Sequence, residues 1–271
     1  SVCGNTVQVT TDTGIFLDNG ATTEICTVNN NTIKAATGIK VDSGVIAVTV
    51  SGNTIYSTSK GIDSSHSLLI NNNCLTGTGI GIVTGYESTI SGNHISSFTT
   101  GINLDAVSPN NVTINGNTIL SVTNGILADN GGFYKVIISG NTIESTQRCI
   151  SSLAGNCSFL VATNNTLSTT SYRAIYTVGT NHYSTFSSNS IANSVDSATE
   201  TIYTSDEFTG CTFIGNTIYK AIGGGASGTA IDAGNASVEC VVMCNSTLNW
   251  NTITGPIFNP AVNDVSSNQV N

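Results

Sequence analysis

Short runs of alternating apolar and polar residues recur along the whole chain, and none is long enough to read as an amphipathic helix. Val48-Thr49-Val50, Thr89-Ile90, Val112-Thr113-Ile114 and Val136-Ile137-Ile138 each read as a short strand. Directly after such a strand comes Asn-Thr-Ile or a near variant. Its Asn falls at Asn5, Asn31, Asn53, Asn73, Asn93, Asn117, Asn141, Asn165, Asn189, Asn216, Asn251 and Asn268. The steps are 26, 22, 20, 20, 24, 24, 24, 24, 27, 35 and 17 residues. A second signature follows in each unit. It reads Gly-Ile at Gly14-Ile15, Gly38-Ile39, Gly61-Ile62, Gly81-Ile82, Gly101-Ile102 and Gly125-Ile126. It continues as Cys149-Ile150, Ala174-Ile175, Thr201-Ile202 and Ala230-Ile231.

Each unit therefore predicts three short strands joined by turns. A unit of about 20–27 residues cannot bury its apolar face alone, but stacked on its neighbours it forms a continuous core with parallel pairing along the axis. The predicted fold is all-β, a parallel β-helix of about eleven coils, roughly 50 Å long at about 4.8 Å per strand. Leucine-rich solenoids need regular Leu and helical segments, and propeller blades need a period of about 40–45 residues. The repeated Asn is expected at a tight bend in left-handed geometry, stacking into a ladder. The solenoid is assigned to 1–255 and a C-terminal cap or tail to 256–271, where Pro256 and Pro260 break the period. The longest step, which contains Trp250, reads as a longer loop or a degenerate coil. The first residues, Ser1-Val2-Cys3, already fit the repeat, so further coils are expected upstream.

Composition narrows the function classes. Ser, Thr and Asn supply 106 of 271 positions, and charged residues are only 8%. Seven Lys and Arg against 16 Asp and Glu give a formal net charge of −9, too few cations to neutralise many phosphates, so nucleic acid is not an expected partner. No apolar run approaches the length of a membrane span, so no membrane insertion is expected. The eight Cys include Cys26 and Cys211, both five residues before a repeat Asn, in an inward row with Val48, Val112, Val136 and Leu160. They read as buried small apolar residues, with Cys149 and Cys157 as a possible pair. His66, His94 and His182 share no ligand spacing, so neither metal nor cofactor is expected.

Candidate chemistry comes from the strand carrying Gly-Ile. Its Ile points in, so the first and third residues beyond it point out. The third-position row contains two stacked carboxylate pairs, Asp18 with Asp42 and Asp105 with Asp129. Neighbouring coils place such groups about 5 Å apart, near the spacing of about 5–5.5 Å used by retaining glycosidases. Asp105 and Asp129 are the better candidates, because Tyr176 and Tyr203 follow two and three coils on in the first-position row, as possible platforms for sugar rings. Arg173 lies beside Tyr172 and Tyr176. Asp206 and Glu207, with Glu200 just upstream, form the densest acidic cluster and a second catalytic candidate. Elimination from an acidic sugar needs clustered cations, and Arg173 has no such cluster in the sequence. An Asp at a strand end also commonly caps a turn, so a structural role stands beside the catalytic one.

The repeat resembles the right-handed parallel β-helix of the pectin-lyase-like superfamily. Ile90-Ser91-Gly92-Asn93, Ile114-Asn115-Gly116-Asn117-Thr118-Ile119 and Ile138-Ser139-Gly140-Asn141-Thr142-Ile143 carry the likeness. Within that superfamily the chain is most similar to the shaft of a bacteriophage tailspike. The resemblance implies a homotrimer at a virion tail or an extracellular surface. Its implied partner is a bacterial surface polysaccharide, capsule or lipopolysaccharide O-antigen, whose glycosidic bonds it hydrolyses. A non-catalytic receptor-binding shaft or adhesin is the alternative implied by the same fold, since fold alone does not fix function.

Overall fold

The computed structural model describes residues 1–18, 25–42, 45, 47–64, 66–105, 109–194, 200–220, 230–232, 239–248 and 269–270. Among them every regular element is a strand and every pairing between named strands is parallel. The strands that precede the repeat Asn form one 11-stranded sheet, from Val2–Cys3 to Val241–Met243. The strands after the Asn and the Gly-Ile strands belong to an 18-stranded sheet. They join because in some coils the two run on as one long strand, as in Thr32–Val41, Thr54–Ser64, Thr118–Ala128 and Thr142–Ser152. Register shifts at Ala35/Thr37 and between Ile119 and Asn124 bend these long strands. A small third sheet pairs Cys157–Ser158, Asn181–His182 and Phe208–Thr209. The fold is the parallel β-helix the repeat predicts.

The core is built from rows of like residues. Ile39, Ile62, Ile82, Ile102, Ile126, Ile150, Ile175, Ile202 and Ile231 stack in the buried core, all at most 1% exposed. Toward the C-terminal end aromatic rings fill the interior, with Phe186 and Phe213 stacked at 4.9 Å and Phe208 edge-on to both. The glycines before Ile are small because neighbouring coils touch there. A Cβ at Gly125 would collide with Ile143 Cγ2 and the carbonyl oxygen of Cys149.

The Asn ladder is continuous from Asn5 to Asn245. Each Nδ2 donates to the next Oδ1 at 2.9–3.0 Å, as from Asn93 to Asn117 and from Asn117 to Asn141. The same oxygen accepts the previous backbone N–H, for example Asn117 N to Asn141 Oδ1 at 2.9 Å. Two details differ from expectation. The left-handed residue is the one before the ladder Asn, among them Asn30, Gly52, Asn72, Gly116, Asn164 and Cys244. The ladder Asn thereby keeps ordinary geometry and aims its amide inward. The last described ladder position is Asn245, not Asn251, because Asn216 Nδ2 bonds to Asn245 Oδ1 at 2.9 Å. The step after Asn216 is therefore 29 residues rather than 35. Trp250, Asn251, Asn268, Pro256, Pro260 and all of the tail 256–271 except 269–270 lie outside the described residues.

None of the eight cysteines, all among the described residues, is in a disulfide. Cys26, Cys149, Cys157, Cys211 and Cys240 are buried as expected, whereas Cys3, Cys74 and Cys244 are exposed. Burial pushes the Cys149 thiol up to about 12 and the Cys157 thiol up to about 11.

Candidate functional site

The outward face of the Gly-Ile strands carries three adjoining rows of side chains. Pairing of Asn103 with Leu127, Ser151 with Tyr176, Tyr176 with Tyr203 and Tyr203 with Asp232 fixes the middle row. Asn124 pairs with Arg148 in the row before it. Asp105 and Asp129 follow two residues after Asn103 and Leu127, so they share a register one coil apart.

Alternation predicts that the middle row is solvent-facing, and in the central coils it is not. Val83, Asn103, Leu127 and Ser151 are 3%, 4%, 7% and 0% exposed. Val83 and Leu127 are buried yet stand apart from the interior core cluster. The outside of the solenoid is covered here, a tertiary effect that a period-two pattern does not carry.

Five buried polar atoms without a hydrogen-bond partner gather on this face: Asn103 Oδ1, Asn124 Oδ1, Asp129 Oδ1, Arg148 Nε and Ser151 Oγ. Buried polar groups are almost always satisfied, and an unsatisfied one costs about 1–3 kcal/mol. Acceptors and a donor of this kind lie within three neighbouring coils.

The candidate carboxylates flank this cluster, and each is engaged by an amide one coil away. Asp129 Oδ2 accepts from Asn103 Nδ2 at 3.3 Å. Asp105 Oδ1 accepts from Asn130 Nδ2, and Asp105 itself is exposed. Asp206 and Glu207 lie three coils beyond Asp129, about 14 Å along the axis at the usual strand spacing. The structure therefore does not bring the two acidic candidates together. Asp206 is exposed, while Glu207 accepts from Thr209 Oγ1 at 3.4 Å and its backbone carbonyl accepts from Asn181 N–H.

Next to the orphan cluster sits a knot of arginine and tyrosine. Arg173 Nε and Nη2 both donate to Glu200 Oε2, at 2.9 and 2.6 Å, and Nη1 donates to the Tyr172 hydroxyl. Its guanidinium lies 3.9 Å from the Tyr203 ring centre and 5.3 Å from that of Tyr176. Arg148 packs on Tyr172 and Tyr176 at 4.7 and 4.8 Å. Tyr176 and Tyr203 are parallel to within 3° at 5.8 Å. Their faces are thus turned to each other and to guanidinium groups. Burial pushes the Tyr203 phenol up, with Arg173 opposing and Asp232 and Glu200 adding, so the hydroxyl stays protonated as a donor.

The sequence reading set Tyr172 and Tyr176 beside Arg173 but did not single out Arg148, Asn103, Asn124 or Ser151. Their signal was present as register, since Asn124 and Arg148 both stand two residues before the inward Ile. It also missed an exposed aromatic row on another face, in which Phe159 stacks on Tyr183 at 5.7 Å and meets Tyr134 edge-on at 6.1 Å. A 24-residue step from Phe159 to Tyr183 is the repeat itself. Among the described residues no three His, Cys, Asp or Glu side chains converge to hold a metal ion.

A family model described as "Right handed beta helix region" matches residues 61–191, the stretch holding Asp105, Asp129, Arg148, Arg173 and Tyr176. No curated protein matches the chain.

Proposed function

We propose that the protein binds a polysaccharide along the face from Asp105 to Tyr203 and hydrolyses its glycosidic bonds. The observation that carries this reading is the cluster of five unpartnered buried polar atoms beside the arginine–tyrosine knot. Sugar hydroxyls both donate and accept, so one glycan can satisfy the three amide and carboxylate oxygens, Ser151 Oγ and Arg148 Nε together. The site spans several coils at about 4.8 Å each, a repeat suited to an extended polymer lying along the axis.

Asp105 and Asp129 are the acid–base pair in this reading. One carboxyl delivers a proton to the glycosidic oxygen as the bond breaks. The other meets the positive charge that develops at the anomeric carbon, and water completes the hydrolysis. Asp206 and Glu207 stand too far along the axis to share that bond, and serve a neighbouring sugar. The substrate class is bacterial capsule or lipopolysaccharide O-antigen, the oligomer a homotrimer, and the setting a virion tail or an extracellular surface, all by likeness to tailspike shafts.

A second reading, a receptor-binding shaft without catalysis, is favoured by the Asn103–Asp129 and Asn130–Asp105 bonds, which suit coil-to-coil fastening. The discriminating experiment incubates the protein with purified bacterial capsules and O-polysaccharides and follows chain length by size-exclusion chromatography and a reducing-end assay. Shortened saturated products establish hydrolysis, and binding without shortening establishes the shaft. Loss of both on a broad panel overturns the glycan reading.

A further inference from the structure

Placing the last described ladder residue at Asn245 puts Cys240 five residues before it, the row that Cys211 holds one coil earlier. Thr212 pairs with Val241, and Val241 N donates to Cys211 O at 2.9 Å, so the two cysteines lie side by side on neighbouring parallel strands. Such strands stand about 4.8 Å apart, within the Cα separation of about 4.4–6.8 Å that a disulfide spans. Both side chains face the interior, 0% and 2% exposed, on paired neighbouring coils. Cys211 Sγ also lies 3.3 Å from Asn181 O, and Cys240 Sγ lies 3.3 Å from Phe208 O. Of the other buried thiols, Cys26 holds the same row but pairs with Val48, and the remaining two are placed differently. Cys149 lies in Thr142–Ser152 and bonds toward Ser145 and Ser168, and Cys157 lies in the separate strand Cys157–Ser158.

The geometry points to Cys211 and Cys240 as an oxidation site that closes a disulfide between adjacent coils when a peroxide reaches it. The Cys240 sulfur attacks one oxygen of hydrogen peroxide, the O–O bond breaks, and the departing hydroxide leaves as water with the thiol proton. Cys211 sulfur then attacks the sulfenic sulfur, the S–S bond forms, the S–O bond breaks, and a second water carries away the Cys211 proton. Two thiols and one peroxide give one disulfide and two waters. The two sulfurs can exchange roles in these steps without changing the balance. In a solenoid each repeat leans only on its neighbours, so single coils can open locally and admit the oxidant. The disulfide ties the coil that ends at Cys240 to the one before it and resists that opening.

The test uses the whole folded protein. The exposed Cys3, Cys74 and Cys244 are first blocked with N-ethylmaleimide, hydrogen peroxide is then added, and the remaining thiols are counted after unfolding. The five buried thiols fall to three, a peptide joining Cys211 to Cys240 appears, and the melting temperature rises by several degrees until dithiothreitol reverses it. In Cys211→Ser the linked peptide is absent and Cys240 proceeds to the sulfinic acid. Five intact thiols, sulfinic acid on both residues without a linked peptide, or a link through another cysteine overturns the proposal.

Discussion

Asn103 Nδ2 donates to Asp129 Oδ2 across one coil at 3.3 Å, while Oδ1 of the same carboxylate is buried without a partner. One oxygen of the carboxylate is therefore held across the coils and the other has no hydrogen bond. Replacing the acid while keeping its shape isolates its chemistry. Asp129→Asn and Asp105→Asn should each lower the rate of polysaccharide shortening by about 100-fold or more, the usual scale for one acid–base group. Binding measured by calorimetry should change little. Full activity in both variants would remove the pair from the mechanism and leave the fold untouched.

Arg173 and Glu200 form an ion pair only 14% and 20% exposed at the side chain. Removing one partner of such a pair leaves the other charge poorly compensated. Arg173→Ala should lower stability by about 2 kcal/mol, within the range for charged hydrogen bonds, and loosen the packing of Tyr176 and Tyr203. Thermal melts followed by circular dichroism, with tyrosine fluorescence as the local probe, report both effects. A melt unchanged from wild type would show the pair to be ornamental.

Asn117 makes side-chain bonds to Asn93, Asn141, Ile90 O and Asn115 O within the buried ladder. Asn117→Ala should cost about 2–4 kcal/mol by leaving several of these groups unpaired. Asn115→Ala, at an exposed position two residues earlier, should cost less than about 0.5 kcal/mol. Equal losses would contradict the ladder's role in stability.

The ladder was legible because one residue type recurs at one place, and its backbone detail was not. A ladder amide and the left-handed residue before it are adjacent, and either placement puts a bend in the same spot. The final coil was misread for a local reason. Cys244-Asn245-Ser246-Thr247 is a weaker match to the repeat than Asn251-Thr252-Ile253, yet it is Asn245 that receives the amide of Asn216. The candidate carboxylates were found by alternation, because Asp105 and Asp129 share a register. The burial of Asn103, Leu127 and Ser151 was not legible, since what covers the outer face depends on neighbouring coils rather than on strand period. The packing of Arg148 on Tyr172 escaped for the same reason. Their contact runs between turns about a coil apart.

Alkaline stability follows from the buried thiols. Cys149 and Cys157 titrate in the folded chain near 12 and 11, against an ordinary value of 9.0. The folded state therefore holds protons that the unfolded state releases. Their contribution is fully present below pH 9 and is lost as pH rises from there through 11 and 12, by a few kcal/mol in total. Melting temperature should be flat from pH 7 to 8.5 and fall above 9. In Cys149→Ala the fall should be shallower, and an identical slope would contradict burial of the thiol as its cause.

The most direct measurement compares two double variants for binding to a polysaccharide that the wild type recognises, by isothermal titration. Asn124→Ala with Arg148→Ala removes two of the orphan polar groups on the Asp105–Tyr203 face. Tyr134→Ala with Phe159→Ala strips the exposed aromatic row on the other face. A loss of more than about tenfold in the first, roughly the weight of one good hydrogen bond to a charged group, with no change in the second, is the expected result. Unchanged binding in the first and loss in the second would place the sugar on the aromatic row and contradict the proposed site.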